Sequence, residues 1–139
     1  MKNQKTKVGI IGATGYAGIE LVRLLLAHPN VEINAVSSVS FKGRAISDIH
    51  PALHSIYDVK LGDEDSVIEQ SDVVFAALPH GLSEPIAKKC VRLNKLFIDL
   101  GADFRLDSQD TYKEWYEKNF DEPELHKQSI YSIPELHRD

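Results

Sequence analysis

Cysteine is almost absent: Cys90 is the only one in 139 residues. A lone thiol excludes an intramolecular disulfide and any cysteine-based metal cluster. Long hydrophobic runs are missing too. The longest, such as Val73 to Leu78, fall far short of the roughly 20 residues that span a bilayer. Lys2, Lys5 and Lys7 precede an apolar stretch, Val8–Gly12, that is too short for a signal-peptide core. Excess positive charge is lacking: the formal net charge is −5 and the pI about 5.6, which argues against binding nucleic acid through its phosphate backbone. No internal repeat, low-complexity tract or linker interrupts the chain. With 42% apolar and 27% charged residues, the composition is that of a folded domain, and disorder or coiled coil is disfavoured. A chain of this size buries roughly two-thirds of its unfolded surface, enough for one core. These absences point to a soluble, cytoplasmic, single-domain chain that meets neither membrane nor nucleic acid.

What is present alternates short apolar runs with longer amphipathic stretches, the pattern of parallel βαβ units. Lys7–Gly12 reads as a buried strand. Gly15–His28 reads as a helix with Ala17, Leu21, Leu24 and Leu25 at helical spacing, stopped at His28-Pro29-Asn30. Glu32–Ser38, Tyr57–Leu61 (weakly), Asp72–Leu78 and Leu96–Leu100 read as further strands. Residues 39–55 read mostly as loop, with a short helix from Ile46, and Asp65–Gln70 as a short helix or turn. Ser83–Leu93 reads as a helix with Ser83 as its N-cap, and Asp107 or Ser108 caps another reaching about Phe120. Beyond Phe120 the chain reads as irregular. The prediction is an α/β fold: a Rossmann-type doubly wound parallel sheet of at least five strands, in three αβα layers.

The strongest local signal is Gly12-Ala13-Thr14-Gly15-Tyr16-Ala17-Gly18, set between a strand and a helix. Gly12 permits a sharp turn off the strand, Gly15 lets backbone N–H groups approach a pyrophosphate, and Gly18 lets the helix pack closely on the strand. The free N–H groups and positive dipole end of the helix then face the phosphate charge. A free ribose 2′-hydroxyl normally meets Asp or Glu about 20 residues later. Residues 36–44 here contain no carboxylate, but offer Ser37, Ser38, Ser40, Lys42 and Arg44. Hydroxyls and a cation suit a 2′-phosphate, so NADP is expected over NAD, with Lys42 or Arg44 as its cation. Open parallel sheets bind ligands beyond the carboxyl ends of their strands. That places Leu78-Pro79-His80-Gly81 beside the nicotinamide.

Together, the glycine turn, Ala77–Gly81, Asp99–Arg105, Ile46–Pro51 and Tyr131–Arg138 (YSIPELHR) resemble the N-acetyl-γ-glutamyl-phosphate reductases across essentially the whole chain. Gly101, Ser132 and His137 stand where that family commonly has serine, glycine and asparagine. The resemblance implies NADPH-dependent reduction of N-acetyl-L-glutamyl 5-phosphate to the semialdehyde, with release of phosphate, in arginine biosynthesis. It also implies a homo-oligomer when complete, and a nucleophilic cysteine and assisting histidine beyond Asp139. A thiolate suits that step because the resulting thioester accepts hydride well. The chain is thus expected to be a dinucleotide-binding domain, residues 1–139, that lacks the substrate and dimerisation domain and binds cofactor without turnover. An exposed apolar patch and self-association are expected of such a domain.

Other chemistry-bearing residues have plainer readings. Cys90 reads as a buried helix residue, not a nucleophile. His50 and His54 are spaced like metal ligands but lack a third, so no metal and no catalytic residue is assigned in this chain. Arg105 is placed either on the anionic substrate or in a structural pair with Asp103 or Asp99. Tyr112, Trp115, Tyr116 and Phe120 form a stripe suited to a core or interface. Two other functions stay open: an aspartate-semialdehyde-dehydrogenase-like enzyme, and a non-catalytic nucleotide-sensing module.

Overall fold

The computed structural model describes residues 4–136. Four parallel strands, β1 (Thr6–Ile11), β2 (Val31–Ser37), β3 (Val73–Ala76) and β4 (Leu96–Asp99), form one sheet in the order β2-β1-β3-β4. The helices are α1 (Tyr16–Leu26), α2 (Ile46–Ile49), α3 (Glu64–Glu69), α4 (Ser83–Arg92), α5 (Gln109–Tyr116) and α6 (Pro123–Gln128). A single 3₁₀ turn, Pro51–Leu53, follows α2.

Alternation along β1 explains the layers. Val8 and Ile10 point to one face, where they pack with Val22 of α1, Ile46 of α2 and Leu53. Ile11 points to the other, with Val67 and Ile68 of α3 and Ile86 and Cys90 of α4. Both faces are therefore covered, as an all-parallel sheet requires, and the doubly wound three-layer architecture is as the sequence predicts. Each fully buried Val, Leu or Ile contributes about 1.5–3 kcal/mol.

Several local expectations need correction. Tyr57–Leu61 is not a sheet strand: among the described residues the sheet has four strands, and this segment makes only isolated bridges, Ala45 to Lys60 and, just past it, Ser37 to Gly62. Its backbone is drawn to the turn before α2 instead, through Leu61 N–H to the Arg44 carbonyl at 2.9 Å. On α1, Gly18 and Val22 are the buried residues, whereas Ala17 and Leu24 are exposed. Ser83 is the first residue of α4, not its cap; Leu82 holds the cap position. Ser108 does cap α5, accepting from Thr111 N–H at 3.3 Å, but α5 stops at Tyr116 because Glu117 turns left-handed (φ 56°). The segment after Phe120 contains α6, with Pro123 in its first turn, where a missing N–H costs nothing.

Candidate dinucleotide site

β1 lies between β2 and β3, so the crossover direction reverses at its carboxyl end. Gly12 sits at that reversal. It is left-handed (φ +82°), and a Cβ there would overlap the Ala77 carbonyl oxygen beyond β3. The Gly12 and Ala13 N–H groups meanwhile donate to the Ser37 carbonyl at 3.2 and 3.0 Å. The turn is thus stitched to both neighbours of β1.

Gly18 has a different constraint. A Cβ there would overlap the Gly12 carbonyl oxygen and come within 2.8 Å of Ala13 Cα, so glycine lets α1 close on the turn. Gly15, the N-cap of α1, offers no side-chain cap, and a Cβ on it would meet only the Gly12 oxygen at 3.7 Å. The first-turn N–H groups at Tyr16 and Ala17 consequently face an open approach, as anion binding at a helix start requires. The Tyr16 side chain is 99% exposed.

Thr14 anchors this turn sideways. Its hydroxyl lies 2.8 Å from the Ser38 hydroxyl, and its carbonyl lies 2.9 Å from His50 Nε2. His50 is therefore a strut of the glycine turn. His54 lies 3.5 Å from Asp58, away from that strut.

Ser38 leads directly into an open cleft of about 420 Å³ lined by Ser37 to Val39, Lys42 and Asp63 to Asp65. Lys42 Nζ lies 3.1 Å from Asp63 Oδ2. Ser40 and Arg44 are exposed and do not line the cleft. Arg44 turns back over the Phe41 ring, 5.7 Å from its centroid, and lies 4.0 Å from Asp48. Residues 36–44 lack a carboxylate, but folding supplies three from the start of α3. The Asp63 carboxyl is lowered from its ordinary value by the Ser66 N–H that it caps and by Lys42.

At the other side of the turn, Leu78 lies against Gly12, its Cδ2 3.1 Å from where a Cβ would stand. Pro79 and His80 are exposed, and the His80 ring centroid is 5.4 Å from that of Tyr116. Gly81 is left-handed (φ +83°), with the Lys118 side chain lying over it.

The organiser of this loop escaped the sequence reading. Asp103, 1% exposed, accepts the N–H groups of Gly81 and Ser83 and the Tyr112 hydroxyl. It caps α4 from twenty residues away, a contact no local motif reveals. Asp99 stands beside it: its Oδ1 accepts from the Ser83 hydroxyl and Gly101 N–H, both at 2.9 Å. Its Oδ2 is buried with no partner among the described residues. Burial, more than nearby Asp103, pushes the Asp99 carboxyl up.

Neither acid pairs with Arg105, which is exposed and sits over the Tyr131 ring at 5.7 Å. Tyr112, Tyr116 and Phe120 do cluster, at centroid separations of 5.1 Å, while Trp115 is 72% exposed and off the stripe. Glu84 and His126 join α4 to α6 in a buried pair at 2.5 Å. Cys90 is buried, and burial pushes its thiol up to about 11. Glu135 is exposed, and His137 and Arg138 lie outside the described residues. Among the described residues, no helix is long and apolar enough to cross a membrane.

A glycine turn at the reversal point of a doubly wound parallel sheet, with an uncapped helix start, defines a dinucleotide-binding Rossmann domain. Residues 7–139 match the semialdehyde dehydrogenase, NAD binding domain, family, and the chain belongs to it. Among curated relatives, N-acetyl-gamma-glutamyl-phosphate reductase of Clostridium botulinum (strain Eklund 17B / Type B) is 56% identical over 133 residues, covering 96% of this chain and 39% of that protein. The Brachyspira hyodysenteriae protein of the same name is 56% identical over 130 residues, covering 94% and 37%. The chain thus spans well under half the length of these relatives. Among solved structures, aspartate semialdehyde dehydrogenase with NADP from Candida albicans superposes with a TM-score of 0.66 at 23% identity, over 76% of this chain and 32% of that one. That likeness concerns the fold.

Proposed function

We propose that this chain is the NADP(H)-binding domain, residues 1–139, of an enzyme that reduces N-acetyl-L-glutamyl 5-phosphate to the semialdehyde with release of phosphate. The observation that carries the reading is the uncapped start of α1 over Gly12, Gly15 and Gly18, joined through Thr14 and Ser38 to the Lys42 cleft. The resemblance to the reductases named above, at 56% identity, supports the substrate.

In this reading the Tyr16 and Ala17 N–H groups hold the pyrophosphate, with Thr14 orienting the turn. Lys42 and Ser38 meet the ribose 2′-phosphate. Ser40 and Arg44 flank that region from outside the cleft, so Lys42 is preferred as the cation. Leu78, Pro79, His80 and Gly81 form the wall beside the nicotinamide, which supplies the hydride when the cofactor is bound. Arg105, unpaired with Asp99 or Asp103, is free to grip the anionic substrate bidentately.

The nucleophile is not Cys90. It is buried in the core, and a thiol pushed up to about 11 is almost wholly protonated at neutral pH. This chain by itself therefore binds cofactor without turnover. The complete enzyme works in the cytoplasm as a homo-oligomer. The apolar side chains of Ile130, Tyr131 and Leu136 are exposed, as suits surface covered by the rest of such an enzyme, and in this reading the chain alone self-associates.

Calorimetric titration with NADPH beside NADH tests the reading. NADPH is expected to bind more tightly, and Lys42→Ala to remove the preference while Arg44→Ala leaves most of it. Failure of the wild-type chain to bind either nucleotide overturns the proposal. Turnover of aspartyl phosphate, not its acetylated glutamyl counterpart, by the complete enzyme overturns the substrate assignment.

A further inference from the structure

The cleft that receives the ribose in the reading above contains more negative than positive charge. Asp63, Glu64 and Asp65 line it with Lys42. Lys89 reaches Asp65, which leaves Lys42 to face Asp63 at 3.1 Å. Asp63 is not a mobile counter-ion. Its Oδ1 accepts the Ser66 N–H at 2.8 Å as the N-cap of α3, so the carboxylate is fixed by the backbone and cannot swing away when another anion arrives.

We propose that Asp63 is a specificity-determining residue that holds down this domain's preference for NADP(H) by competing for Lys42. The inference rests on the assignment of this cleft to the ribose. A 2′-phosphate must draw the Lys42 ammonium from Asp63 and settle near a carboxylate that stays in place. A 2′-hydroxyl meets no such opposition and has a carboxylate to which it can donate. Lys42 favours the phosphate and Asp63 opposes it, and the balance between them sets the discrimination. Charge repulsion across a few ångströms of a solvated cleft corresponds to about a fivefold or larger change in affinity at low salt, and salt screens it.

The test is a titration of the full chain with NADPH and NADH, at low and high salt, for the wild type, Asp63→Asn and Lys42→Met. Asparagine caps a helix as well as aspartate does, so α3 is retained, and Asp63→Ser serves as a second capping variant. Asp63→Asn is expected to tighten NADPH about fivefold or more while NADH stays constant or weakens, with the gain shrinking at high salt. Lys42→Met is expected to weaken NADPH alone. If the wild type binds NADPH but neither Asp63 variant raises the NADPH-to-NADH ratio, the inference is overturned and the cofactor reading stands. If the wild type binds neither nucleotide, both fall.

Discussion

The Tyr112 hydroxyl donates to Asp103 Oδ1 at 2.8 Å, tying α5 to the same carboxylate that takes the Gly81 and Ser83 N–H groups. Burial and this bond to Asp103 push the phenol far above its ordinary range. Tyr112→Phe removes one donor and keeps the ring's tilted contacts with Tyr116 and Phe120. A hydrogen bond to a charged, buried acceptor is worth about 1.5–3 kcal/mol, and two N–H donors remain, so a loss near about 1.5 kcal/mol is expected in urea denaturation. An unchanged midpoint would show that Asp103 does not need the phenol.

Glu84 is a second hub. It accepts Asp121 N–H at 2.9 Å, Glu122 N–H at 3.3 Å and His126 Nε2 at 2.5 Å. The His126 ring also stacks on Phe120 at 3.5 Å. Glu84→Ala leaves the buried His126 ring nitrogen and the part-buried Asp121 and Glu122 N–H groups without their acceptor, and is expected to cost about 1–3 kcal/mol. Amide hydrogen exchange would locate the damage: protection should fall first in Pro123–Gln128.

The glycines of the turn should separate folding from binding. Gly18→Ala drives a methyl into the Gly12 carbonyl, and α1 must move off the sheet. A lower melting temperature and loss of nucleotide binding are both expected. Gly15→Ala makes only an ordinary contact, 3.7 Å to the Gly12 oxygen, at an ordinary φ of −74°. Its melting temperature should hold while nucleotide affinity falls, because the methyl stands where phosphate approaches. Equal thermal losses in the two variants would contradict the geometry.

Asp99 gives a pH signature. Its carboxyl is pushed up from the usual 3.8, chiefly by burial, so the folded state binds this proton more tightly than the unfolded chain does. The stability this contributes is complete below the unfolded value and is lost as pH rises through the folded one. Asp99→Asn carries no charge to bury. The variant should therefore melt higher than the wild type at pH 7, and its advantage should shrink as the pH is lowered towards 4. A constant difference across that range would rule out the carboxylate as the source.

The sequence made the scaffold legible where one residue type has one use. Val73–Ala76 is an apolar run of strand length and Leu96–Ile98 a shorter one inside β4, and Gly12 and Gly18 have the spacing that a turn and a close helix demand. It misled where burial and backbone pairing part company. Leu61 is fully buried in the core, so Tyr57–Leu61 resembles a strand, yet the Leu61 N–H and the Val59 and Leu61 carbonyls pair with Gly43–Ile46 around the start of α2. α6 was hidden because Pro123 reads as a breaker when it is a first-turn residue. At the site, Lys42 and Ser38 were visible as local chemistry. Asp63 and Asp103 were not, since each acts on a segment about twenty residues away, and only the fold shows what a carboxylate faces.

The strand order has a kinetic corollary. β1 pairs with β3 as well as β2, with Val8 opposite Val73 and Lys7 N–H donating to Asp72 at 3.1 Å. More than sixty residues of polypeptide separate those partners. A chain emerging from the ribosome must carry its first strand unsatisfied along one side until the third has been synthesised, and parallel pairings of such long range close slowly. During that interval the apolar Val8–Ile11 stretch is open to wrong partners. The same reversal point that shapes the nucleotide site therefore delays the moment at which the site can exist.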